Sequence, residues 1–273
     1  MARAHSLSPG NRASWNFADR QAFCSADMVS TQAPEAHTNW IDARRRAVTS
    51  PRGALSLVLT HWEPPGAPAV TDAVARAGQS IDATVTRLQR TDIHSGVTQE
   101  GFRVWDPESP AQRAFEAIEY YEYDPAWVIR GRFELVDEER VVPFEHLKDD
   151  GATRSLPVSG DLVFEHDGTE YRLSAFDTDN GRIAQLQLVF GDSTNGAESY
   201  AAGRFLFLDH PAPGVGMTAG DSIPITIDFN RAIVPPCGFS NHMNCPLPPP
   251  QNRLPFAVRA GEKQVRFADG FSL

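Results

Sequence analysis

Three side chains that can bind a metal ion or act as nucleophiles lie within nine residues of one another. Cys237, His242 and Cys245 form the pattern C-x4-H-x2-C, which offers thiolate and imidazole ligands. Zinc usually takes four ligands, so His210 or a water molecule would have to complete such a site. A redox-active or nucleophilic Cys237 is another interpretation, although C-x7-C is wider than thioredoxin-like spacing. The favoured interpretation is a pair of structural thiols beside prolines. No cofactor is predicted, and zinc at these three residues is the alternative.

Carboxylates and arginines at predicted strand ends form a second group of residues that could act in catalysis or ligand binding. Asp192 follows a predicted strand that ends at Phe190, and Asp228 ends another alternating apolar run. Either carboxylate is a candidate general base, and Arg204 or Arg231 would hold an anionic group through its planar guanidinium. The alternatives are structural. Asp192 fits a tight turn equally well, and Arg204 is favoured to pair with a buried carboxylate such as Asp228.

The candidate residues divide into catalytic and ligand-binding sets. The catalytic candidates are Asp192, Asp228 and Cys237, and the ligand-binding candidates are Tyr200, Arg204, Asn230, Arg231, Asn252 and Arg253. Closing a β-sheet brings the ends of distant strands together. We therefore expect one concavity to be surrounded by Asp192, Tyr200, Arg204, Asp228, Asn230, Arg231, Cys237 and Asn252.

The segment between Pro235 and Pro255 contains seven of the 21 prolines of the chain. Each proline fixes φ and removes a backbone donor, which excludes a regular helix or a central strand. The segment is therefore predicted to be a stiff, extended loop. We expect Asn252 and Arg253 to anchor it through their side-chain donors, so that it forms a rigid lid or wall over the site.

Most of the remaining pattern has the two-residue period of β-strands. A helix is predicted over 40–48 and a second over 111–119, and residues 66–98 fit helix and strand equally well. His166-Asp167-Gly168-Thr169 predicts a hairpin. The sequence thus predicts a mainly β fold, an antiparallel sandwich or barrel-like sheet with one or two short helices in the N-terminal half. Predicted strands span 54–62, 101–105, 127–136, 140–145, 161–166, 169–176, 183–190, 203–208, 223–229, 255–260 and 264–267.

Two long motifs resemble those of the DUF1684 family, a domain of unknown function. The first is DFNRA-x2-PPC-x7-CPLPPPQNRLPFAVRAGEK from Asp228, and the second is FGDSTNG from Phe190, followed by Tyr200 and GRFL. Weaker similarity lies around Trp40, Leu55-Ser56-Leu57, Trp62 and Tyr123-Asp124-Pro125-Ala126-Trp127, so the resemblance covers roughly residues 38–265. It implies no catalytic role, because no activity is established for that family.

The chain is predicted to comprise a disordered or loosely attached extension over 1–36 and a DUF1684-like domain over 37–273. A division into two β subdomains near 145–158 is an alternative.

Composition narrows the possible partners. The 35 acidic and 25 basic residues give a formal charge of −10, which disfavours nucleic acid and anionic membranes as partners. No apolar run of about 18 residues or signal peptide is apparent, which predicts a soluble, cytoplasmic protein. The favoured function is binding of a small anionic molecule. The first alternative is a hydrolase- or transferase-type enzyme with an Asp/Arg/Cys site, and the second is a structural or protein-interaction module.

Overall fold

The computed structural model describes residues 33–64, 66–93, 95–178, 185–211 and 214–273, and the structural statements below concern these residues. The predicted extension over 1–36 lies outside them apart from its last residues. Three described α-helices, α1 to α3, span Glu35–Val48, Asp72–Ala75 and Pro110–Ala114, and none is long and apolar enough to cross a bilayer. The strands, in chain order, are Leu57–Trp62 (β1), Thr84–Thr91 (β2), Thr98–Trp105 (β3), Phe115–Tyr120 (β4), Val128–Leu135 (β5), Val141–Glu145 (β6), Thr153–Pro157 (β7), Gly160–His166 (β8), Thr169–Thr178 (β9), Gln185–Phe190 (β10), Arg204–Asp209 (β11), Ser222–Asp228 (β12) and Glu262–Phe267 (β13).

A six-stranded antiparallel sheet forms the centre of the fold, in the order β11-β10-β9-β8-β5-β12. Its concave side is filled by apolar side chains that alternate along the strands. Phe133, Leu162 and Leu188 are each fully buried there, and Phe229 packs edge-on against Phe190. The sheet curls into a half-barrel around this core. The predicted mainly β, barrel-like architecture is therefore confirmed.

Three smaller antiparallel sheets surround the central one. Strands β1, β3 and β2 form a sheet in that order, β4 pairs with β13, and β6 pairs with β7. The β6–β7 hairpin falls where the sequence suggests a boundary near 145–158. The division into two subdomains stays a prediction.

The hairpin between β8 and β9 is confirmed in its predicted register. His166 pairs with Thr169, so two residues form the turn. Asp167 and Gly168 have φ values of 49° and 72°, the left-handed pair that a type I′ turn requires. Aspartate and glycine tolerate that conformation better than other residues do, and this is why the short sequence signal sufficed.

The helix predicted over 111–119 is wrong in its second half. Helix α3 begins with a capping bond from the Gln112 amide to the Ser109 hydroxyl and ends at Ala114. The chain then continues as β4, in which Ile118 pairs with Val265 of β13. The helix-favouring alanines and glutamates of this segment are overridden by pairing with a strand about 150 residues away, a contact that local sequence does not reveal. Helix α1 is confirmed but begins before the predicted residue 40.

The strand predicted over 255–260 is also wrong. The segment has no strand structure, and its carbonyls form no ladder with any described strand. Those of Val258 and Ala260 instead accept hydrogen bonds from the guanidinium of Arg204. The Arg204 side chain thus takes the hydrogen-bonding place of a neighbouring strand. The sequence of 255–260 alternates as in a strand, but no backbone ladder forms.

Candidate functional site

Arg204 is the most deeply enclosed charged residue of the predicted site. Its side chain has no exposed surface, and it donates to Asp192 Oδ2 at 2.7 Å and to the Val258 carbonyl oxygen at 2.6 Å. The predicted pairing of Arg204 with a buried carboxylate is therefore present, but the partner is Asp192 and not Asp228. The reason is topological: Asp192 follows β10, the strand directly beside β11, whereas Asp228 ends β12 at the opposite edge of the sheet.

Asp192 holds three segments of chain together. Its Oδ1 accepts from the amides of Thr194 at 2.9 Å and Val258 at 3.3 Å, while Oδ2 accepts from Arg204. The turn interpretation of this residue is thus observed, together with the ion pair. A catalytic role for Asp192 stays a prediction, and it would require the carboxylate to leave some of these donors.

Asp228, Asn230 and Arg231 form a separate group at the end of β12. Asp228 accepts from the Asn230 amide at 3.1 Å and lies 3.4 Å from Arg231 Nε. The buried Asn230 side chain bonds both backbone groups of Asp124, at 2.9 and 3.0 Å. This group fastens the segment around Asp124 to the sheet, and Arg231 is exposed beside it.

Asn252 is fully buried between β9 and β10, at the point where these two strands separate. Its Oδ1 accepts from the Ser174 amide at 2.8 Å, and its Nδ2 donates to the carbonyls of Ser174 and Val189, both at 2.9 Å. Among the described residues, the ladder between β9 and β10 pairs 176–178 with 185–187. The Asn252 side chain therefore supplies hydrogen bonds beyond the end of that ladder.

Arg253 lies beside a cavity of about 340 Å³ that Asp192 also lines. It is exposed, and its Nε donates to the Pro248 carbonyl at 3.1 Å. Pro248 packs so closely on Gly203, which has a φ of 84°, that a Cβ there would come within 2.4 Å of it. Of the eight residues expected around one concavity, Asp192 alone lines this cavity. The other seven lie in four places: Arg204 pairs with Asp192 in the core, Asp228, Asn230 and Arg231 lie at the end of β12, Tyr200 and Cys237 share an apolar cluster, and Asn252 lies between β9 and β10.

Cys237 and Tyr200 lie together in a different apolar cluster, with Cys245. Both cysteines are free and buried, and the Cys237 amide donates to Cys245 Sγ at 3.3 Å. Hydrogen bonds from the Cys245 thiol and the Tyr200 hydroxyl lower the pKa of Cys237 to about 7. The same contact with Cys237, together with burial, raises the pKa of Cys245.

His242 does not complete a metal site with these cysteines. Its backbone carbonyl accepts from the Thr60 hydroxyl at 2.7 Å, and its side chain lines a pocket. Within the described ranges, no three His, Cys, Asp or Glu side chains are grouped as metal ligands. The alternative of a zinc site at Cys237, His242 and Cys245 therefore has no geometric support.

A second pocket, of about 450 Å³, lies where the β1–β3–β2 sheet meets the β6–β7 hairpin and the proline-rich loop. We call it the basic pocket. Thr60, Trp62 and Asn244 contribute to its wall, and its ionisable lining residues are Arg90, Arg103, Lys148, Arg154, His146, His242 and Asp149. Four permanent cations thus face one carboxylate, in a chain whose overall charge is −10.

The pairing register of β1, β3 and β2 places the residues of one wall of the basic pocket side by side. Arg103 of β3 lies between Thr60 of β1 and Thr86 of β2, and Gly101, two residues before Arg103, lies opposite Trp62. A Cβ at Gly101 would come within 2.5 Å of the Trp62 indole, so this glycine lets the ring lie against the sheet. The Arg90 guanidinium stacks 4.3 Å from the Trp62 ring centroid, an arrangement that fixes both side chains.

Arg103 differs from the other cations of the basic pocket because its guanidinium has no hydrogen-bond or ion-pair partner among the described residues. Its Nε is buried without a partner. Burial lowers the pKa of Arg103, and the nearby Cys245 partly offsets this effect. By contrast, Arg154 donates to Asp149 Oδ2 at 3.1 Å, and Lys148 bonds the Asn241 carbonyl. Arg103 is therefore the cation of this pocket that has a buried donor without a partner among the described residues.

The two histidines of the basic pocket are held towards their neutral forms. Burial lowers the pKa of His146, although Asp149 acts in the opposite direction. Burial also lowers the pKa of His242, and the positive charge of Lys148 adds to the effect. The fixed charge of the pocket at neutral pH thus comes from its arginines and its lysine.

Sequence reasoning missed the basic pocket. Arg90, Arg103 and Arg154 are isolated from one another in the sequence, and no cluster of basic residues marks them. The available signal was the alternation of β3, which places Arg103 on the same face as Gly101. Only the pairing register shows that this face meets Trp62 and a distant hairpin.

Comparison with known proteins shows to which family the chain belongs. The model of the family described as "Protein of unknown function (DUF1684)" matches residues 113–263, more than half of the chain. The chain belongs to the DUF1684 family. The match includes both motif-bearing segments, with Arg204, Asn252 and the two cysteines. For the basic pocket, the DUF1684 segment contains the hairpin and loop residues, whereas Arg90 and Arg103 precede it.

A solved relative of this DUF1684 protein is an uncharacterised protein from gene locus rrnAC0354 of Haloarcula marismortui, determined by solution NMR. It is 34% identical, and the alignment covers 58% of this chain and 83% of the relative, with a TM-score of 0.42. No curated protein matches the chain.

Proposed function

We propose that the protein binds a small anionic molecule in the basic pocket, with Arg103 as the principal contact. The observation that supports this proposal is the buried Arg103 Nε, which lacks a partner at the wall of a pocket with a cationic excess. Burying a cation without a partner is unfavourable, because its hydration is lost without replacement. An incoming anion would supply the missing hydrogen bonds.

The geometry favours a carboxylate or phosphate group on a small molecule. The planar guanidinium presents paired donors that match two oxygens of either group. The pocket volume of about 450 Å³ lies within the usual range for small-molecule sites. The surrounding cations would add attraction to the anion, which is stronger in a partly enclosed site than in water.

This site differs from the one expected from the sequence. Arg204 and Asn252 are fully enclosed and hydrogen-bonded within the protein, so ligand contact by either residue would require that part of the core to open. Arg253 is exposed at the smaller cavity and remains a secondary ligand-binding candidate. The predictions of a cytoplasmic location and of no nucleic-acid partner still rest on the sequence alone.

The test compares Arg103→Met with a matched arginine variant. Methionine removes the charge and keeps much of the apolar volume. Arg130→Met is the control, because Arg130 is exposed on β5, away from the pocket. Thermal unfolding would be followed against succinate, inorganic phosphate and sodium chloride at equal ionic strength. A bound anion at 100 times its Kd stabilises the native state by about 2.7 kcal/mol.

We expect succinate or phosphate to raise the Tm of the wild type and of Arg130→Met above the sodium chloride value. The Arg103→Met variant should lose this anion-dependent rise. Arg103→Lys should retain only part of it, because lysine keeps the charge without the paired donors. Equal shifts in Arg103→Met and the wild type would contradict the assignment of Arg103, and no shift with either anion would contradict binding of these groups.

A further inference from the structure

The Cys237–Cys245 pair is built on a firmly held loop. The Ser240 hydroxyl donates to the Leu57 carbonyl at 2.7 Å, and the Leu147 amide donates to the Cys245 carbonyl at 3.0 Å. The Cys237 amide itself contacts Cys245 Sγ at 3.3 Å. The two ends of the nine-residue segment therefore lie beside each other, with the Cys245 sulfur in contact with the Cys237 backbone.

The two thiols are chemically unequal. The neighbouring Cys245 and Tyr200 side chains lower the pKa of Cys237 to about 7, which favours its thiolate. The neighbouring Cys237 side chain and burial raise the pKa of Cys245, which favours its protonated form. Thiolates are the nucleophilic form of cysteine, and hydrogen-bond donors beside one sulfur select which cysteine attacks. Cys237 is thus the candidate attacking thiolate, and Cys245 is the candidate resolving thiol.

We propose that Cys237 and Cys245 form a reversible redox pair that a hydroperoxide oxidises to a disulfide. In the first step the Cys237 thiolate attacks one peroxide oxygen, the O–O bond breaks, and hydroxide or alkoxide leaves. Cys237 becomes a sulfenic acid, and the peroxide is reduced by two electrons. In the second step the Cys245 sulfur attacks the Cys237 sulfur. The S–S bond forms, the sulfenic hydroxyl leaves, and together with the Cys245 proton it gives water.

The basic pocket offers the approach for a small oxidant. His242 and Asn244 line this pocket, and Cys245 follows Asn244 directly in the chain. Arg103 lines the pocket and is close enough to Cys245 to interact with it electrostatically. The thiols themselves are only 4–5% exposed, which favours hydrogen peroxide over a bulky disulfide as the oxidant. The redox proposal does not depend on the pocket binding an anion.

The test uses the full chain carrying Cys24→Ser, so that the proposed pair holds its only thiols. The folded, reduced protein would be treated with hydrogen peroxide at pH 7 and sampled over time by intact mass spectrometry. We expect the loss of two hydrogen atoms, and dithiothreitol should restore the original mass. In the Cys245→Ser variant, a sulfenic acid should accumulate and be trapped on Cys237 by dimedone. Cys237→Ser should react at least about tenfold more slowly, because the remaining thiol is mainly protonated.

Tyr200→Phe separates a chemical role from a structural one. Removing the hydroxyl should raise the pKa of Cys237 and slow its oxidation at pH 7, and raising the pH should restore the rate. Circular dichroism would verify that each variant is folded. The proposal is overturned if the folded Cys24→Ser protein never loses two hydrogen atoms. Equal reactivity of the two single-cysteine variants, or a Tyr200→Phe profile identical to that of its parent, would overturn the assigned roles.

Discussion

Asn252→Ala is the substitution for which the structure gives the sharpest stability prediction. Asn252 fills the gap between β9 and β10 and bonds three backbone groups, the amide and carbonyl of Ser174 and the carbonyl of Val189. Alanine would leave all three groups buried without these partners. Gln251 provides the matched control, because it is the preceding residue, carries the same amide group and is exposed.

The magnitude follows from the three lost partners. Each buried polar group left unsatisfied costs about 1–3 kcal/mol, and local relaxation keeps such sums towards their lower end. We therefore expect Asn252→Ala to reduce the free energy of unfolding by about 3–5 kcal/mol. Asn252→Asp should be at least as damaging, because an ionised carboxylate has no donor for the two carbonyls and adds a buried charge. Gln251→Ala should change stability by less than about 0.5 kcal/mol.

Urea unfolding followed by tryptophan fluorescence would measure these differences. The comparison is valid where the variants share the m-value of the wild type, because m reports the surface exposed on unfolding. Hydrogen exchange at the Ser174 amide would locate the effect, since that amide loses its acceptor in Asn252→Ala and keeps it in Gln251→Ala. If Asn252→Ala proved as stable as Gln251→Ala to within about 1 kcal/mol, Asn252 would not be the anchor that its contacts indicate.

Two further predictions concern charge. Arg204→Met should lower the free energy of unfolding by about 3–5 kcal/mol, because it leaves Asp192 buried without its cation. Adding Asp192→Asn should restore part of this free energy in urea unfolding. If the double variant were no more stable than Arg204→Met, the lost ion pair would not be the cause. In the basic pocket, the pKa values of His146 and His242 are lowered, so both are neutral at pH 7 and gain positive charge only below their ordinary pKa of about 6.5. The affinity for sulfate, whose own charge is constant in this range, should rise between about pH 6.5 and 5 in isothermal titration calorimetry, and the same rise in His146→Gln/His242→Gln would refute this cause.

The sequence predicted the elements whose pattern and pairing agree. Ile223, Ile225 and Ile227 alternate along β12 and pair with β5 as an ordinary antiparallel neighbour. The Asp167-Gly168 turn was equally readable, because its conformation depends on the turn residues themselves. Local sequence is sufficient where local preference and tertiary contact favour the same structure.

The predictions failed where a distant contact decided the structure. Pairing with β13 placed 115–119, the second half of a predicted helix, in a strand, and Arg204 removed the predicted strand over 255–260 by bonding its carbonyls. The basic pocket was missed for the same reason. Its arginines come from different sheets, and their proximity depends on how those sheets pack rather than on any spacing along the chain.

The position of Arg204 has a consequence for the order in which the chain can fold. Its guanidinium is enclosed only when the carbonyls of Val258, Ala260 and Glu262 are in place, and these residues are synthesised 54 to 58 residues after Arg204. Until these residues are synthesised, the Arg204 guanidinium stays hydrated, although it is enclosed in the folded protein. On a nascent chain, stable docking of the strand that begins at Arg204 would therefore be deferred until residues 258–262 emerge, so closure of this core follows the synthesis of Arg204 by more than 50 residues.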